Sequence, residues 1–229
     1  MALRRHRIRS RLVGILLLGL AGTAAAQAHV VVEDWVKYAV GTKGVPADWQ
    51  RQNWGSPRYD FVIETNDSHK ALHMRSDNEG STIARDIKGK VNLKETPLLE
   101  WSWKATVLPK GANSCRKATD DQAAQIFVVW PRFPTPVRSR IIGYVWDTTA
   151  PAGTICNSEK TGTVTYVVVR SGTADLGKWF TERRNIAEDF RKIYGEEPEN
   201  PEVLSVAIDS NDTNSTSESF VASILFRRP

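Results

Sequence analysis

The densest run of oxygen-bearing side chains in this 229-residue chain is Asp209-Ser210-Asn211-Asp212-Thr213-Asn214. Calcium takes about six to eight oxygen ligands, and Asp and Asn side chains interleaved with loop carbonyls suit it. Asp209, Asn211, Asp212 and Thr213 are therefore candidate calcium ligands. The spacing is not that of an EF-hand, which wants glycine where Asn214 stands and glutamate where Phe220 stands. The competing reading is a solvated turn between the last two strands. Asp120-Asp121 is the second acidic feature. Adjacent residues of a strand point to opposite faces, so this pair is not itself a two-carboxylate catalytic site. One of the two could bind a cation or pair with Arg183 or Arg184; the plainer reading is a strand-start turn.

Aromatic side chains offer a different chemistry. Tyr144 and Trp146 share one face of a single strand with Ile142, Trp146 adjoins Asp147, and Trp130 adjoins Pro131-Arg132. Aromatic rings stack on the C–H faces of sugars, while neighbouring Asp, Asn, Gln and Arg bond hydroxyls. Tryptophan is more often a core filler, and Trp101, Trp103 and Trp179 read as core; Trp146 with Asp147, and Trp130, could sit at the mouth of a cleft, with Tyr144 a further ligand-binding candidate. Glycoside hydrolysis needs two carboxylates about 5–10 Å apart. The acids available for it are Asp120, Asp121, Asp147, Asp209 and Asp212, with Arg183 or Arg184 in support. A serine–histidine triad lacks its Gly-x-Ser-x-Gly elbow. His69 and His73 would lie ~13 Å apart on a strand, too far to share a metal.

These groups need a scaffold, and the apolar pattern supplies a β one. Short apolar and β-branched runs separated by turn residues predict ten strands. They are Val30–Glu33, Tyr59–Thr65, Ala71–Ser76, Ser81–Asp86, Leu98–Leu108, Gln125–Trp130, Arg140–Asp147, Thr163–Arg170, Val203–Asp209 and Phe220–Phe226. In the fifth, Leu99, Trp101, Trp103 and Ala105 take the core face and Glu100, Ser102 and Lys104 the solvent face. One segment has helical spacing, from Leu176 through Trp179, Phe180, Ile186 and Phe190 to Tyr194, with Asp175 as N-cap and Gly195 as stop. Arg183 falls within its apolar stripe. It must either pair with a carboxylate or snorkel to water, because an unpaired buried charge is very costly. The expected fold class is mainly β: a jelly-roll-like antiparallel β-sandwich with one α-helix in the C-terminal half.

The first 28 residues have another character. Five arginines without an acid precede the apolar run Leu12–Leu20, and small residues lead to Ala26-Gln27-Ala28. That order is a secretory signal peptide, too short in its apolar part for a comfortable membrane span. The remainder, 29–229, is expected to be one domain. The chain holds 31 basic and 26 acidic residues; without the leader's five arginines the two are equal at 26. The basic pI thus belongs to the leader, and no nucleic-acid partner is expected. No later apolar run is long enough to be a transmembrane segment. Cys115 and Cys156 both follow the leader, and in an oxidising compartment a disulfide is their natural state.

A resemblance joins these features. Leu99-Glu100-Trp101-Ser102-Trp103-Lys104, Leu108-Pro109-Lys110-Gly111-Ala112, Asp120-Asp121-Gln122-Ala123-Ala124-Gln125, Gly143-Tyr144-Val145-Trp146, Val168-Val169-Arg170-Ser171-Gly172, Arg184-Asn185-Ile186-Ala187-Glu188-Asp189-Phe190 and Ala207-Ile208-Asp209-Ser210-Asn211-Asp212-Thr213 occur in the order and spacing of the bacterial domain-of-unknown-function family 3047. The chain resembles that family from about Val32 to Arg227. The resemblance implies an exported protein with a β-sandwich similar to carbohydrate-binding modules and concanavalin-type domains, and it carries no catalytic residue. The leading expectation is a periplasmic module that binds a glycan or related polar ligand. A polysaccharide hydrolase or lyase, or a structural or interaction protein of the cell envelope, are the alternatives.

Overall fold

The structure is a computed structural model and describes residues 29–229; the expected signal peptide, 1–28, lies outside them. Two β-sheets pack face to face. The six-stranded sheet contains β1 (His29–Glu33), β3 (Asp60–Asn66), β4 (His69–Asp77), β6 (Leu98–Val107), β11 (Phe180–Asn185) and β13 (Thr216–Arg227). Its order is β11-β6-β13-β4-β3, with β1 also paired to β13. The seven-stranded sheet contains β2 (Gln50–Arg51), β5 (Gly80–Asp86), β7 (Ala124–Trp130), β8 (Arg140–Asp147), β9 (Ile155–Asn157), β10 (Val164–Ser171) and β12 (Val203–Asp209). Its order is β2-β5-β12-β7-β8-β10-β9. The fold is the mainly β sandwich expected, and all ten expected strands form.

The core follows from period-two alternation. On β6, Leu99, Trp101, Trp103 and Ala105 are fully buried, and they belong to one core with Ile126, Val128, Ile142, Tyr144, Trp146, Val206 and Ile208 of the other sheet. Trp101 lies edge-on to Trp103, and its ring centre is 5.3 Å from that of Tyr144. Such aromatic pairs add about 0.5–1.5 kcal/mol beyond the area they bury. The outer face of β6 departs from expectation. Ser102 and Lys104 are buried, not solvated. Trp179 and Phe220 lie beneath the Lys104 ammonium, which pairs with Asp67 at 2.7 Å and with Asn66.

Three strands escape the sequence pattern. β2 and β9 have two and three residues, too few to show a period. β11 was expected to be helix. Phe180–Asn185 instead pairs antiparallel with β6, from Phe180↔Trp103 to Asn185↔Leu98. The helix proper, α2, is Ile186–Tyr194. Its N-cap is Asn185, whose side chain accepts from the Glu188 backbone N–H and donates to the Glu188 carboxylate, a reciprocal cap. Asp175 caps nothing there; it pairs with Arg170 and Lys178. Gly195 ends α2 as expected, at φ 70°, a conformation glycine adopts without strain. A short helix, α1 (Thr135–Arg138), precedes β8.

Every neighbouring pair is antiparallel except β8–β10, which is parallel. A parallel pair needs a crossover. Here residues 148–163 supply it, adding β9 at the edge. The Cys115–Cys156 disulfide ties this crossover to the 109–120 loop, with Cα atoms 5.7 Å apart. Among the described residues no helix is long and apolar enough to cross a membrane.

Candidate functional site

The acids singled out in the sequence do meet. Asp120, Asp121 and Asp209 converge at one end of the seven-stranded sheet, and each is buried or nearly so. Their oxygens are already engaged. Asp121 accepts from the Asp212 N–H (3.1 Å), the Thr213 N–H (2.7 Å) and the Thr213 hydroxyl (2.7 Å). Asp209 accepts from the Gln122 N–H and the Gln125 amide, both at Oδ1. Asp120 accepts from Gln122, Ser158 and Tyr166. Asp212 pairs with Lys160, and Asn211 donates to Asp212. The 209–214 loop thus turns its N–H groups, rather than a ring of oxygens, toward Asp121. Among the described residues no three His, Cys, Asp or Glu side chains converge as metal ligands do.

Protonation in this cluster follows burial. Asp209 is pushed well above the usual carboxylate range, first by desolvation and then by the charges of Asp121 and Asp120. Asp120 is raised, again mainly by burial. The Tyr166 phenol, buried against Asp120, is raised too.

The expected aromatic mouth is core. Trp130, Tyr144 and Trp146 have almost no exposed surface, so none can present a ring to a ligand. Their positions alternate correctly, but the face they share is the one that packs on the opposite sheet. Their polar atoms are spent inside: Trp130 donates to the Glu199 carbonyl, Trp146 to the Gly172 carbonyl and Tyr144 to Asp189. Asp147 is fully buried, accepting from the Ser114 N–H and hydroxyl and from the Thr149 and Ala150 N–H groups. It organises the crossover. Arg183 is exposed and forks onto Glu100, which Arg227 also reaches. Arg184 is the arginine that matters inside: it grips Asp189 bidentately at 2.9 and 2.5 Å beside Tyr144. Asp120, Asp121, Asp147, Asp209, Asp212, Arg183 and Arg184 therefore do not line one open cleft.

An open cleft exists elsewhere, where the sequence reading placed nothing. It has a volume of about 410 Å³ and lies at the ends of β3, β4, β6 and β13. Its charged lining is Arg58, Asp60, Arg75, Asp77, Glu79 and Glu218, with Ser76, Thr216, Ser217 and Val107 between. Strand register builds it: Asp60, Arg75, Glu218 and Val107 form one cross-strand row over four strands. Arg58 lies 3.5 Å from Asp77, and Arg75 lies 3.8 Å from Asp60 and 3.7 Å from Glu218. These are ion-pair distances but not hydrogen bonds. Among the described residues neither guanidinium donates a hydrogen bond, unlike those of Arg85, Arg132, Arg170, Arg183, Arg184 and Arg227.

Glu218 is held firmly at the inner wall. Thr106 donates to one oxygen at 2.7 Å and His73 Nε2 is 2.8 Å from the other. Burial alone would raise its pKa; Thr106, His73 and Arg75 outweigh that and hold it below the usual carboxylate range. His73 stacks on Phe220 with ring centres 4.1 Å apart, and its Nδ1 faces Glu64 at 3.3 Å without hydrogen-bond geometry. Glu79 is the most buried charged group of the lining, at 6 % exposure. One of its oxygens accepts from the Arg58 N–H and the Ser81 hydroxyl; the other has no partner among the described residues. The loop that brings Arg58 also carries Trp54, which is 61 % exposed. Gln52 fastens that loop, donating both to the Trp54 carbonyl and to the Gly80 carbonyl next to Glu79. A second concavity, about 720 Å³, lies beside the disulfide; its carboxylate, Glu159, is engaged by the Lys117 N–H.

Sequence reasoning missed the cleft because its parts are remote. Arg75 and Glu218 are cross-strand partners far apart in sequence. The available signal was charge of both signs on outward positions at the ends of several strands.

A family model described as "Protein of unknown function (DUF3047)" matches residues 47–225, and the chain belongs to that family. No curated protein matches the chain. Among solved structures it is similar to the family 11 carbohydrate-binding module from Clostridium thermocellum, captured with a β-1,3-1,4-mixed-linked tetrasaccharide. That match has 8 % identity, TM-score 0.43, and covers 87 % of this chain and 95 % of the other. It is also similar to the CBM22-1 xylan-binding domain of Paenibacillus barcinonensis Xyn10C, with 12 % identity, TM-score 0.40 and coverage of 89 % and 97 %. A family 11 xylanase from Neocallimastix patriciarum matches with 8 % identity, TM-score 0.37 and coverage of 83 % and 93 %.

Proposed function

We propose that this member of the DUF3047 family is an exported, periplasmic glycan-binding module whose ligand occupies the Arg58–Arg75–Glu218 cleft. The observation that carries the reading is the unspent hydrogen-bonding capacity there. Two solvent-exposed guanidiniums that donate no hydrogen bond to any described residue stand beside Asp60, Asp77 and Glu218 around a 410 Å³ space. A hydroxyl group both donates and accepts, so a polyhydroxylated ligand can satisfy arginine and carboxylate together. Trp54, exposed on the adjoining loop, supplies an apolar ring face of the kind sugars stack on. The Cys115–Cys156 disulfide fits export to an oxidising compartment.

The test is titration calorimetry against a panel of bacterial and plant oligosaccharides, for the wild type, Arg58→Ala, Arg75→Ala and, as a control outside the cleft, Arg183→Ala. Hydrogen bonds to charged groups are worth about 1.5–3 kcal/mol, so each cleft variant should lose about tenfold or more in affinity. Arg183→Ala should bind as wild type. Equal losses in all three variants, or no binding of any oligosaccharide by the wild type, would remove the reading.

A further inference from the structure

The charge of the same cleft narrows the ligand further. Four carboxylates line it, Asp60, Asp77, Glu79 and Glu218, against two guanidiniums. Arg58 is matched by Asp77, and Arg75 is shared between Asp60 and Glu218. Glu79 is left over. Among the described residues it has no cationic side chain within ion-pair distance, and one of its oxygens has no hydrogen-bond partner. A buried carboxylate without a counter-charge is costly, and its field acts on whatever enters the adjoining space, most strongly where water is displaced. A bound ammonium group would supply the missing charge.

We infer that the cleft selects a hydroxylated ligand bearing a free, protonated amine, such as a de-N-acetylated amino sugar, over its neutral acetylated counterpart. This rests on the glycan-binding reading and deepens it. Hydroxyls engage the arginines and the exposed carboxylates; the ammonium lies on the Glu79 side of the cleft, attracted through space because the partnerless oxygen is itself enclosed. The arrangement also disfavours uronic acids, whose carboxylate would add to the surplus negative charge.

Calorimetry with β-1,4-linked glucosamine tetrasaccharide, its fully N-acetylated form, a neutral cello-tetrasaccharide and a galacturonate tetrasaccharide decides the matter, at a pH near 6 where amino-sugar amines are protonated. The amine form should bind about tenfold more tightly than the acetylated form, equivalent to ~1.4 kcal/mol. Glu79→Gln, which keeps an oxygen for the Arg58 N–H and Ser81, should narrow that ratio to about threefold or less. Raising sodium chloride from about 50 mM to about 500 mM with the wild type should narrow it as well, a measurement independent of any variant's folding. Acetylated or neutral oligosaccharide binding as tightly as the amine form would overturn the inference and leave the glycan-binding reading standing. No binding by any of the four, or by the wider panel, would overturn both.

Discussion

Two clusters of acids and polar groups sit side by side at one end of this sandwich, joined where the Ser210 N–H donates to the Glu79 carbonyl, and they are built on opposite terms. Around Asp120, Asp121 and Asp209, each carboxylate is met by N–H or O–H groups of its own chain. Around Arg58, Arg75 and Glu79, the solvent-exposed guanidiniums and one carboxylate oxygen take no hydrogen-bond partner among the described residues. The first cluster is dense in sequence and holds a loop in shape. The second is scattered in sequence and faces an open space. Density of oxygen ligands along the chain is thus a poor guide to a binding site; unspent hydrogen-bonding capacity beside a cavity is a better one.

The largest effect that would sharpen the contrast comes from the disulfide. It closes a loop of 41 residues, and removing it with paired serines should cost about 4 kcal/mol in the loop-entropy model. Denaturant unfolding measures this, and glycan affinity should persist in what stays folded. Asp121→Ala comes next. Three donors lose their acceptor, and a loss of about 3 kcal/mol is expected with ligand affinity within about twofold of wild type. Reduced affinity with unchanged stability would reverse the roles given to the two clusters.

Smaller effects separate the clusters by the sign of their pH dependence. Asp209 has its folded-state pKa raised. Its contribution to stability is therefore full below the unfolded carboxylate range and is lost as pH rises through the folded value. Asp209→Asn keeps the oxygen that accepts from Gln122 and Gln125. It should raise stability at pH 8 by on the order of 1 kcal/mol and remove the fall in melting temperature that begins as pH rises above the unfolded carboxylate range. Glu218 is shifted the other way. Its contribution is present above the unfolded carboxylate range and is lost as pH falls through the folded value. Glu218→Gln should flatten the acid side of the same curve. Melting scans from about pH 4 to about pH 9 read both, and matching slopes in the two variants would erase the distinction. Smallest of all, Arg58→Ala and Arg75→Ala should each change stability by about 0.5 kcal/mol or less, as exposed ion pairs do.

The sandwich was legible because burial writes a period of two into strands such as Leu98–Val107, and a sheet with one covered face repeats it. The run Phe180–Asn185 misled because Phe180, with Leu176 and Trp179 before it, happens to join the spacing of the true helix that follows; only pairing with β6 decides its state. Trp130, Tyr144 and Trp146 show the limit on the site side. Periodicity says that residues share a face, not whether that face meets water or another sheet. The row Asp60–Arg75–Glu218 was beyond reach for a plainer reason: it exists only once β3, β4 and β13 are set in register.

The place of β13 has a consequence for the order in which the molecule can be made. This strand, the last of those described, lies between β6 and β4 and also pairs with β1. Until it has left the ribosome, the β11–β6 and β4–β3 halves of the six-stranded sheet have no common neighbour, and Glu218 has no wall to stand in. Vectorial synthesis therefore cannot finish this sheet piecemeal. The six-stranded sheet stays incomplete, with the facing edges of β6 and β4 unpaired, until β13 is available.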